Sequence, residues 1–512
     1  MSSLIQRSSM IQRADTSLNR FTMYRLVLWV LAVLAAYSLL LNVLGWLTFG
    51  IPQMLAHLVL CLGLTYASNR GLAALFHVRP HSESSLITGL LLYFLFWPTF
   101  AALDVAGVAL ACVMASASKY ALAWPGRHIF NPAAAGAFVA GLTGLNIATW
   151  WAATPSMLLA VVPGILLVLY RTRKILMGAV FTAVSVSIVA TELLRAGMSA
   201  GQALWQPLAQ RPVLFFVGFM LTEPLTLPPR RWQQLALAAV VGVVFAVPYN
   251  LGFVANSPEL ALLVGNLIAF LAGQRGGIRL NFQESRPLTP TTTEFSFRPD
   301  RTVRFAPGQY MELHLPHARS DGKGLRRVFS LTSAPDARDV RIGVGTAEPV
   351  SAAKRALLAL QPGDTVTATA VGGDFVLPRR SAGPVLLIAA GIGITPYLAQ
   401  LAAGAARDRD VVLLYLAKSA AELAYADALQ RSGARVIARL SDGSAPPSFM
   451  EDAAKVSRPP ERLDGPALRK LVPDIAVRDV FISGSPASVS SLRAAARSAG
   501  ARRVHTDLFA GY

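Results

Sequence analysis

The sequence predicts a membrane α-helical bundle of about ten transmembrane helices, followed by an antiparallel β-barrel and then an α/β domain. Three observations support this fold class. Ten apolar runs fill most of the chain before residue 277. From residue 278 to about 380, apolar and polar residues alternate among frequent Pro and Gly, which is typical of short antiparallel strands. After residue 384, an apolar strand-like run leads into a Gly turn and an apolar helix.

Composition and charge separate the chain into two halves. Hydrophobic residues make up 54% of the 512, above the roughly 45–50% of soluble domains. Only 6 of the 28 acidic residues precede residue 278, against 16 of the 47 basic residues. The net charge of +19 would suit a nucleic acid, but the basic residues of the first half lie in loops between apolar runs, not along one helix face. We therefore predict a lipid bilayer, and no nucleic acid, as the partner of this half.

Residues 1–23 are predicted to form a cytoplasmic tail and residues 24–275 a transmembrane domain. Several apolar runs approach the roughly 20 residues that cross a bilayer, and several are shorter. The ten runs are 24–48, 52–68, 86–98, 101–122, 133–150, 156–170, 176–194, 212–222, 233–250 and 259–273. Two of the short runs end at Trp-Pro and Glu-Pro, which indicates broken helices whose backbone groups need protein neighbours.

Basic residues alternate across the loops, as expected when cytoplasmic loops hold Lys and Arg. Most of them precede the first run or follow an even-numbered one: Arg7, Arg13, Arg20, Arg25, Arg70, Arg79, Arg127, Arg171, Arg173, Lys174, Arg230, Arg231 and Arg275. The loops after odd-numbered runs contribute Arg195 and Arg211. We therefore predict a multi-pass protein of the inner (cytoplasmic) membrane with both termini cytoplasmic and no cleaved signal peptide.

Cysteine and histidine usage argues against metal cofactors. The only cysteines, Cys61 and Cys112, are isolated in apolar runs, whereas an iron–sulfur cluster normally takes four cysteine ligands. Of the seven histidines only His57 lies well inside an apolar run, so a haem held between spans is disfavoured. We predict no metal site in this chain.

Three strings in the first half place polar residues at the ends of apolar runs. They are Ser85-Leu-Ile-Thr-Gly89, Arg127-His-Ile-Phe-Asn-Pro-Ala133 and Met220-Leu-Thr-Glu-Pro224. Polar groups at membrane depth are unfavourable unless they are paired or belong to a site, so one interpretation gives Asn131 and Thr222 a functional role. The other is helix capping, because Asn131 precedes a Pro that suits a helix start and Thr222 precedes a helix stop. The residues alone leave both interpretations open.

With these strings, residues 80–275 resemble the membrane subunits B and D of the sodium-pumping NADH:quinone reductase and Rnf complexes. The resemblance implies ten spans and a flavin or quinone site that includes Asn131 and Thr222. It also implies a second flavin (FMN or riboflavin), since a Thr on the outer side after the fifth span carries covalent FMN in that family. Here Thr154 in Trp151-Ala-Ala-Thr-Pro-Ser156 lies in the corresponding loop, although the preceding Ser-Gly of the family is missing.

The second half is predicted to hold a β-barrel over 278–380 and an α/β domain over 384–512. Strand-like runs at 384–390, 410–416 and 480–483 suggest a parallel layer. Between the first run and an apolar helix stands Gly391-Ile-Gly-Ile-Thr-Pro396, a turn that would bring backbone N–H groups close to a pyrophosphate. By itself such a turn is also compatible with an ordinary strand–helix connection.

Together with Arg327-Val-Phe-Ser330, Gly372-Gly-Asp-Phe375 and the end His505 to Tyr512, this turn resembles the ferredoxin–NADP reductase family over residues 278–512. The resemblance implies FAD and NADH or NADPH as cofactors. The residues that it implies for FAD are Tyr310, Arg327, Phe329, Ser330, Thr332, Ser351, Lys354, Gly373 and Phe375. Those that it implies for the nicotinamide dinucleotide are Gly391, Gly393, Thr395, Pro396, Gly484 and Pro486.

Catalytic positions follow from the same resemblance. Ser330 would hydrogen-bond near the flavin N5, and Ser483 stands where the family often has a Cys beside the hydride-transfer site. Tyr512 would cover the flavin ring. Two of the residues implied for FAD leave alternatives open, since Phe375 also suits core packing and Lys354 also suits a surface position. The sequence does not decide between NADH and NADPH, because Lys418 and Arg439 suit either a 2′-phosphate contact or plain surface charge.

The function predicted is a membrane-bound flavoprotein oxidoreductase that passes electrons from NAD(P)H through FAD to a membrane flavin, a quinone or a redox partner protein. Two alternatives stay open at this point. In one, the reductase drives an ion transporter, for which Asp104, Glu192 and Glu223 are the intramembrane acids. In the other, the membrane half is only an anchor.

Overall fold

A computed structural model describes residues 23–509 except 78–79, 81, 125–126, 251, 253–254, 273–276, 317–325, 379–382 and 456–462. The chain divides into two compact units, one within residues 22–276 and the other within 277–512. In the described residues, the first unit is mainly helical with one short hairpin, and the second contains two sheets. After the sequence predictions for these two parts of the chain, we call them the membrane unit and the reductase unit.

The described part of the membrane unit contains helices at all ten predicted apolar runs and one amphipathic helix, α8, that was not predicted. The helices are α1 (Met23–Val43), α2 (Ile51–Leu75), α3 (Ser82–Leu95), α4 (Ala102–Ala121), α5 (Pro132–Leu142), α6 (Leu158–Thr172), α7 (Ile175–Arg195), α8 (Ala200–Ala209), α9 (Val213–Phe216), α10 (Arg231–Ala246) and α11 (Pro258–Leu271). The hairpin pairs β1 (Ala123–Trp124) with β2 (Arg127–His128). A π-helical turn, Val217–Leu221, continues α9.

Four of these helices are long and apolar enough to cross a membrane by length and composition. They are α1, α2, α4 and α7. The remaining apolar helices are shorter, with α3 at 14 residues and α5 at 11. Association with a membrane is therefore supported, whereas ten spans and cytoplasmic termini stay predictions.

Aromatic residues and glycines pack the core of the membrane unit. The ring of Phe94 lies 5.3 Å from that of Trp151 and 5.4 Å from that of Phe215. Helices α4 and α5 approach closely at Gly136, where an added Cβ would lie 2.2 Å from the carbonyl oxygen of Ala111. Small residues at such crossings let backbones approach and increase van der Waals contact.

The first sheet of the reductase unit is antiparallel, as predicted. Its strands are β3 (Ile278–Thr289), β4 (Thr292–Pro299), β5 (Tyr310–His314), β6 (Arg326–Ser330), β7 (Val340–Gly345) and β8 (Thr365–Gly372), with helix α12 (Ala352–Leu358) between the last two. They lie side by side in the order β6-β5-β8-β3-β4-β7. One antiparallel bridge, Leu331 to Ile342, links the chain after β6 to β7. Full closure into a barrel stays a prediction.

The second sheet is parallel, in agreement with the predicted α/β layer. Its elements are β9 (Val385–Ala390), α13 (Thr395–Ala402), α14 (Ala405–Asp408), β10 (Val411–Ala417), α15 (Ala426–Arg431), β11 (Arg435–Leu440), β12 (Glu451–Asp452), α16 (Gly465–Leu471), β13 (Asp479–Gly484), α17 (Pro486–Ser498) and β14 (Arg503–Leu508). The strand order is β12-β11-β10-β9-β13-β14. From β9 the chain continues to β10 on one side of the strand, whereas β13 lies on its other side. The strand order therefore reverses at β9. In open α/β sheets, ligands bind in the crevice at the carboxyl ends of the strands where the order reverses.

Candidate active site

The crevice at the reversal point is built from backbone. Gly391 follows β9 with φ +55, a left-handed conformation that L side chains rarely adopt. A Cβ at Gly393 would lie 2.2 Å from the carbonyl oxygen of Ser483, and one at Gly484 would lie 2.8 Å from the Cβ of Ala390. The ends of β9 and β13 therefore touch without room for side chains, which leaves backbone groups open to a ligand.

Helix α13 begins directly after this turn, so its free N–H groups belong to the same crevice. Thr395 is buried and its hydroxyl donates to the carbonyl oxygen of Ile392 at 3.0 Å, while Pro396 occupies the first turn of the helix. A glycine turn followed by a helix N-terminus fits a pyrophosphate, as the sequence predicts.

Tyr397 joins the two strand ends and was not predicted from the sequence. Its hydroxyl donates to the carbonyl oxygens of Ile388 at 3.1 Å and Phe481 at 2.9 Å, one on each strand. Burial raises the pKa of this phenol well above its ordinary value, so the group stays a neutral donor. Because a Tyr beside Pro reads as plain helix core, no sequence signal pointed to this role.

Ser483 lies at the carboxyl end of β13 with no exposed surface. Its Oγ has no hydrogen-bond partner within the described residues. A buried hydroxyl without a partner costs about 1–3 kcal/mol, so such groups usually indicate a missing ligand or water. After it, Ser485 caps helix α17, of which Pro486 is the first residue.

The antiparallel sheet contributes an aromatic face. Tyr310 on β5 stands opposite Ser330 on β6 and Gly372 on β8. Gly373 has φ +116, and a Cβ there would lie 3.0 Å from the Tyr310 ring, so the glycine makes room for that ring. Tyr310 keeps 37% of its surface exposed, which leaves it available to stack on a planar ligand.

Arg327 and Ser330 are both buried on β6, and Phe329 is partly buried against the core of the antiparallel sheet. The Arg327 guanidinium donates to the carbonyl oxygen of Arg326 at 2.7 Å. Thr332, just beyond the strand, donates to Glu294 Oε1 at 3.3 Å. The strand therefore brings a cation, an aromatic ring and a hydroxyl to one region, a combination that suits a flavin dinucleotide.

The remaining predicted residues have other partners in this structure. Ser351 caps helix α12, and Lys354 Nζ donates to the carbonyl oxygen of Gly345 at 2.5 Å. The Phe375 ring lies 5.7 Å from that of Tyr397 and 5.5 Å from that of Phe481, within the core of the parallel domain. The core-packing interpretation therefore fits the surroundings of Phe375. Tyr512 lies outside the described residues.

In the membrane unit, the three polar strings meet around one pocket. It is lined by Met23, Tyr24, Val27, Ser84, Ile87, Thr88, Leu91, Asn131, Pro132, Ala133, Val168, Thr172, Gly218, Phe219, Thr222, Glu223 and Pro224. The pocket volume of about 50 Å³ has room for a few water molecules, so a flat ring enters only when lining side chains move. Asn131 and Thr222, predicted from distant strings, are therefore neighbours.

Asn131 serves both as a helix cap and as part of a buried network. Its Oδ1 accepts from the N–H of Ala134 at 3.1 Å, which caps α5. Its Nδ2 donates to Glu223 Oε2 at 2.9 Å, and its N–H donates to Asn266 Oδ1 at 2.7 Å. The capping and functional interpretations are thus compatible. Asn266 was not predicted, although a lone Asn within an apolar run was a usable signal.

Thr154 lies in another part of the membrane unit. The loop before it joins the far end of α3, where the Leu95 carbonyl oxygen accepts from the N–H groups of Thr149 at 2.7 Å and Trp150 at 2.9 Å. Of the pocket residues on this helix, Ser84 is about 16 Å from Leu95 along the axis and Leu91 is about 6 Å from it, at roughly 1.5 Å per residue, and Thr154 does not line the pocket. Thr154 Oγ1 is buried and has no hydrogen-bond partner within the described residues.

Sequence comparison finds relatives with oxidoreductase names. The chain is 32% identical over 158 residues to the flavohemoprotein of Pseudomonas aeruginosa, which covers 30% of this chain and 39% of the relative. It is 30% identical over 213 residues to the NADPH oxidoreductase of Mycobacterium tuberculosis, covering 40% and 52%. The chain thus spans between a third and about half of the length of the curated relatives that it matches. These relatives agree with the predicted enzyme class.

Among solved structures, the Amycolatopsis cytochrome P450 reductase is similar, with a TM-score of 0.38 and 25% identity over 46% of this chain and 69% of that one. The flavohem-like FAD/NAD binding domain of Vibrio cholerae nitric oxide dioxygenase gives a TM-score of 0.38 and 24% identity, covering 46% and 99%. No protein-family model matches the chain.

Proposed function

We propose that this chain is a membrane-bound flavoprotein oxidoreductase, which passes electrons from NAD(P)H through FAD to an acceptor held by the membrane unit. The observation that carries the reductase part is the glycine-built crevice between β9 and β13, beside the buried Ser483 hydroxyl. The names of the matched relatives, a flavohemoprotein and an NADPH oxidoreductase, support the same chemistry.

The residues present fit both cofactors. Arg327 would hold a phosphate of FAD, Tyr310 and Phe329 would pack on its ring, and Ser330 would donate a hydrogen bond without adding charge. When bound, FAD would accept a hydride and release electrons one at a time. The turn at Gly391 and the N-terminus of α13 would hold the pyrophosphate of NAD(P), and Ser483 would orient the nicotinamide. The protein supplies positioning, since hydride transfer needs reactants in contact and aligned.

The pocket that includes Asn131 and Thr222 is our proposed site for the membrane acceptor, a flavin or a quinone. Its support is the meeting of five helical segments at a buried polar network, which an anchor would not need. The resemblance to the B and D membrane subunits and the covalent flavin at Thr154 belong to the same proposal. The unpartnered Thr154 hydroxyl supports that attachment, and mass spectrometry of the peptide that contains it tests it.

The proposed function is tested on purified full-length protein. Acid extraction should release FAD, and the protein should reduce ferricyanide with NADH, NADPH or both, which also decides the coenzyme preference. Reduction of ubiquinone-1 should fall in Asn131→Ala and Thr222→Ala while ferricyanide reduction stays unchanged. Absence of FAD would refute the reductase part, and unchanged quinone reduction in both variants would favour the anchor alternative. Dependence of the quinone rate on sodium in liposomes would favour the ion transporter.

A further inference from the structure

A mostly buried carboxylate lies at the wall of the membrane pocket. Glu223 follows the π-helical turn, lines the pocket and exposes 16% of its side chain. Both of its oxygens have partners, His128 Nε2 at 3.1 Å from Oε1 and Asn131 Nδ2 at 2.9 Å from Oε2. Thr222 and Pro224 fix the backbone on either side, since the Thr222 hydroxyl donates to the carbonyl oxygen of Val217 at 3.0 Å.

Two cationic or titratable groups interact with this carboxylate. His128, on the β1–β2 hairpin, exposes 10% of its side chain. Lys119 on α4 lies near enough for an electrostatic interaction with Glu223, and its Nζ donates to the carbonyl oxygen and the Oγ of Ser84, each at 3.1 Å. On α1 and α3, which also line the pocket, Arg25 and Glu83 pair with each other at 2.8 Å. Glu83 is therefore paired with an arginine, whereas Glu223 lines the pocket and contacts a histidine, which can carry a proton.

This arrangement has the parts of a proton relay. An imidazole and a carboxylate in hydrogen-bond contact can pass a proton from one to the other. The pocket has room for a few water molecules beside Glu223. An amide such as Asn131, which donates to Oε2, holds the carboxyl group in place without taking part in proton exchange.

We propose that Glu223 donates protons to a quinone reduced in this pocket and is reprotonated through His128. The inference rests on the proposed function, because it assumes that electrons reach this pocket. The reaction balances as NADH plus one proton plus quinone giving NAD⁺ plus quinol. The two electrons come from NADH through FAD, and the proton of the transferred hydride is released to the aqueous side when FAD passes the electrons on. Two protons taken up through His128 and one released give the net uptake of one. Both quinone oxygens gain an O–H bond, and Glu223 loses its proton at each transfer and regains it from His128, which is recharged from the aqueous side.

The test uses full-length protein in liposomes with ubiquinone-1 and, separately, ferricyanide, which takes electrons without protons. Glu223→Gln keeps the size and hydrogen-bonding capacity of the side chain but cannot ionise. We expect kcat for ubiquinone-1 to fall about 10²-fold, the usual range for loss of a general acid, with KM within about twofold and ferricyanide reduction unchanged. Glu223→Asp should restore part of the rate, and His128→Asn should lower it by about tenfold or less.

Glu259→Gln is the matched control, since Glu259 is a buried carboxylate of the same unit that does not line the pocket. Its quinone rate should equal that of the wild type. A readout independent of turnover is the infrared difference spectrum on reduction. A protonated carboxyl band should be present in the wild type and in Glu259→Gln and absent from Glu223→Gln.

The outcomes separate this inference from the proposed function. If the wild type reduces ferricyanide but not ubiquinone-1, the proposed membrane acceptor is wrong and this inference fails with it. If the wild type reduces both and Glu223→Gln does so at the same rate, only the proton role is wrong. A purely structural role would raise KM and lower thermal stability in Glu223→Gln while Glu223→Asp failed to restore the rate, and that result would also overturn the proposal.

Discussion

The two candidate sites of this protein are built in opposite ways. In the reductase unit, backbone forms the crevice, because Gly393 and Gly484 let two strand ends meet without side chains and Gly391 turns the chain with φ +55. In the membrane unit, side chains form the pocket, and Asn131 and Glu223 meet from segments far apart in the chain. A backbone site tolerates no added atom, whereas a side-chain site depends on a few polar contacts. The two sites should therefore respond differently to substitution.

The largest expected effect is at Gly393. In Gly393→Ala the new Cβ would lie 2.2 Å from the carbonyl oxygen of Ser483, so one strand end must shift. Displacements near 1 Å at a reacting centre cost about 10²-fold in rate, and we expect NAD(P)H-dependent ferricyanide reduction to fall by that factor. The control is Gly63→Ala on helix α2, where no atom lies within 4 Å of the added Cβ. Equal ferricyanide reduction by Gly393→Ala and Gly63→Ala would contradict the claim that the reductase crevice depends on close backbone packing.

Next in size is Arg327→Ala, which tests whether the reductase unit also depends on a side chain. Loss of a charge-assisted contact to phosphate should cost about 1.5–3 kcal/mol, or roughly ten- to a hundredfold in FAD affinity. Bound flavin after gel filtration measures it. Arg326→Ala is the matched control, because that neighbouring arginine lies 3.6 Å from Glu312 and is more exposed than Arg327. Similar flavin loss in both variants would contradict a specific role for Arg327.

Ser483→Ala should have a smaller effect, which is favourable for stability and unfavourable for coenzyme binding. The buried hydroxyl has no partner in the described part of the chain, so its removal should raise the free energy of unfolding of cofactor-free protein by about 1 kcal/mol. The same change should raise KM for NAD(P)H severalfold if the hydroxyl contacts nicotinamide. Denaturant unfolding and steady-state kinetics measure the two. A lower stability together with an unchanged KM would show that the hydroxyl has a structural partner instead.

The smallest effect concerns an ion pair away from both sites. Arg478 directly precedes β13, and its nearly buried side chain lies 2.8 Å from Asp474. The hydrogen bond from this guanidinium lowers the pKa of the Asp474 carboxyl below its ordinary 3.8. A lowered folded pKa gives stability that is present above pH 3.8 and lost as pH falls through the folded value. Asp474→Asn should therefore flatten the fall in unfolding free energy below about pH 4. An unchanged slope would mean that this carboxyl does not contribute.

The sequence predicted the backbone site more completely than the side-chain site. The turn from Gly391 to Pro396 is contiguous. Gly393 occupies a position where a Cβ would clash, and Gly391 has a left-handed φ of +55. Tyr397 was missed because its role depends on two strand ends that meet only in the fold. Likewise Asn131 and Thr222 were predicted, but the contacts of Asn131 with Asn266 and of His128 with Glu223 join segments far apart in the chain, which no local pattern encodes. Helix α8 was missed because its amphipathic sequence lacks a long apolar run.

The surroundings of other residues were set by tertiary packing. Phe375 is the last residue of the predicted cofactor string Gly372-Gly-Asp-Phe375. Its ring nevertheless packs in the core of the parallel domain, because that domain begins soon after it in the chain. Thr154 follows a loop whose residues Thr149 and Trp150 bond to the end of α3, and it does not line the pocket that contains Asn131 and Thr222. Side-chain neighbours of this kind depend on contacts across many residues of chain.

The most direct test of the account is the ratio of ubiquinone-1 to ferricyanide reduction in full-length wild type and in Asn131→Ala. Both reactions use the reductase crevice, so the ratio isolates the membrane pocket. Loss of the Asn131 amide leaves Glu223 Oε2 without its donor while His128 still contacts Oε1, and we expect the ratio to fall about tenfold, as for the loss of one hydrogen bond to a charged group. An unchanged ratio, with both rates as in the wild type, would contradict electron transfer to the membrane pocket.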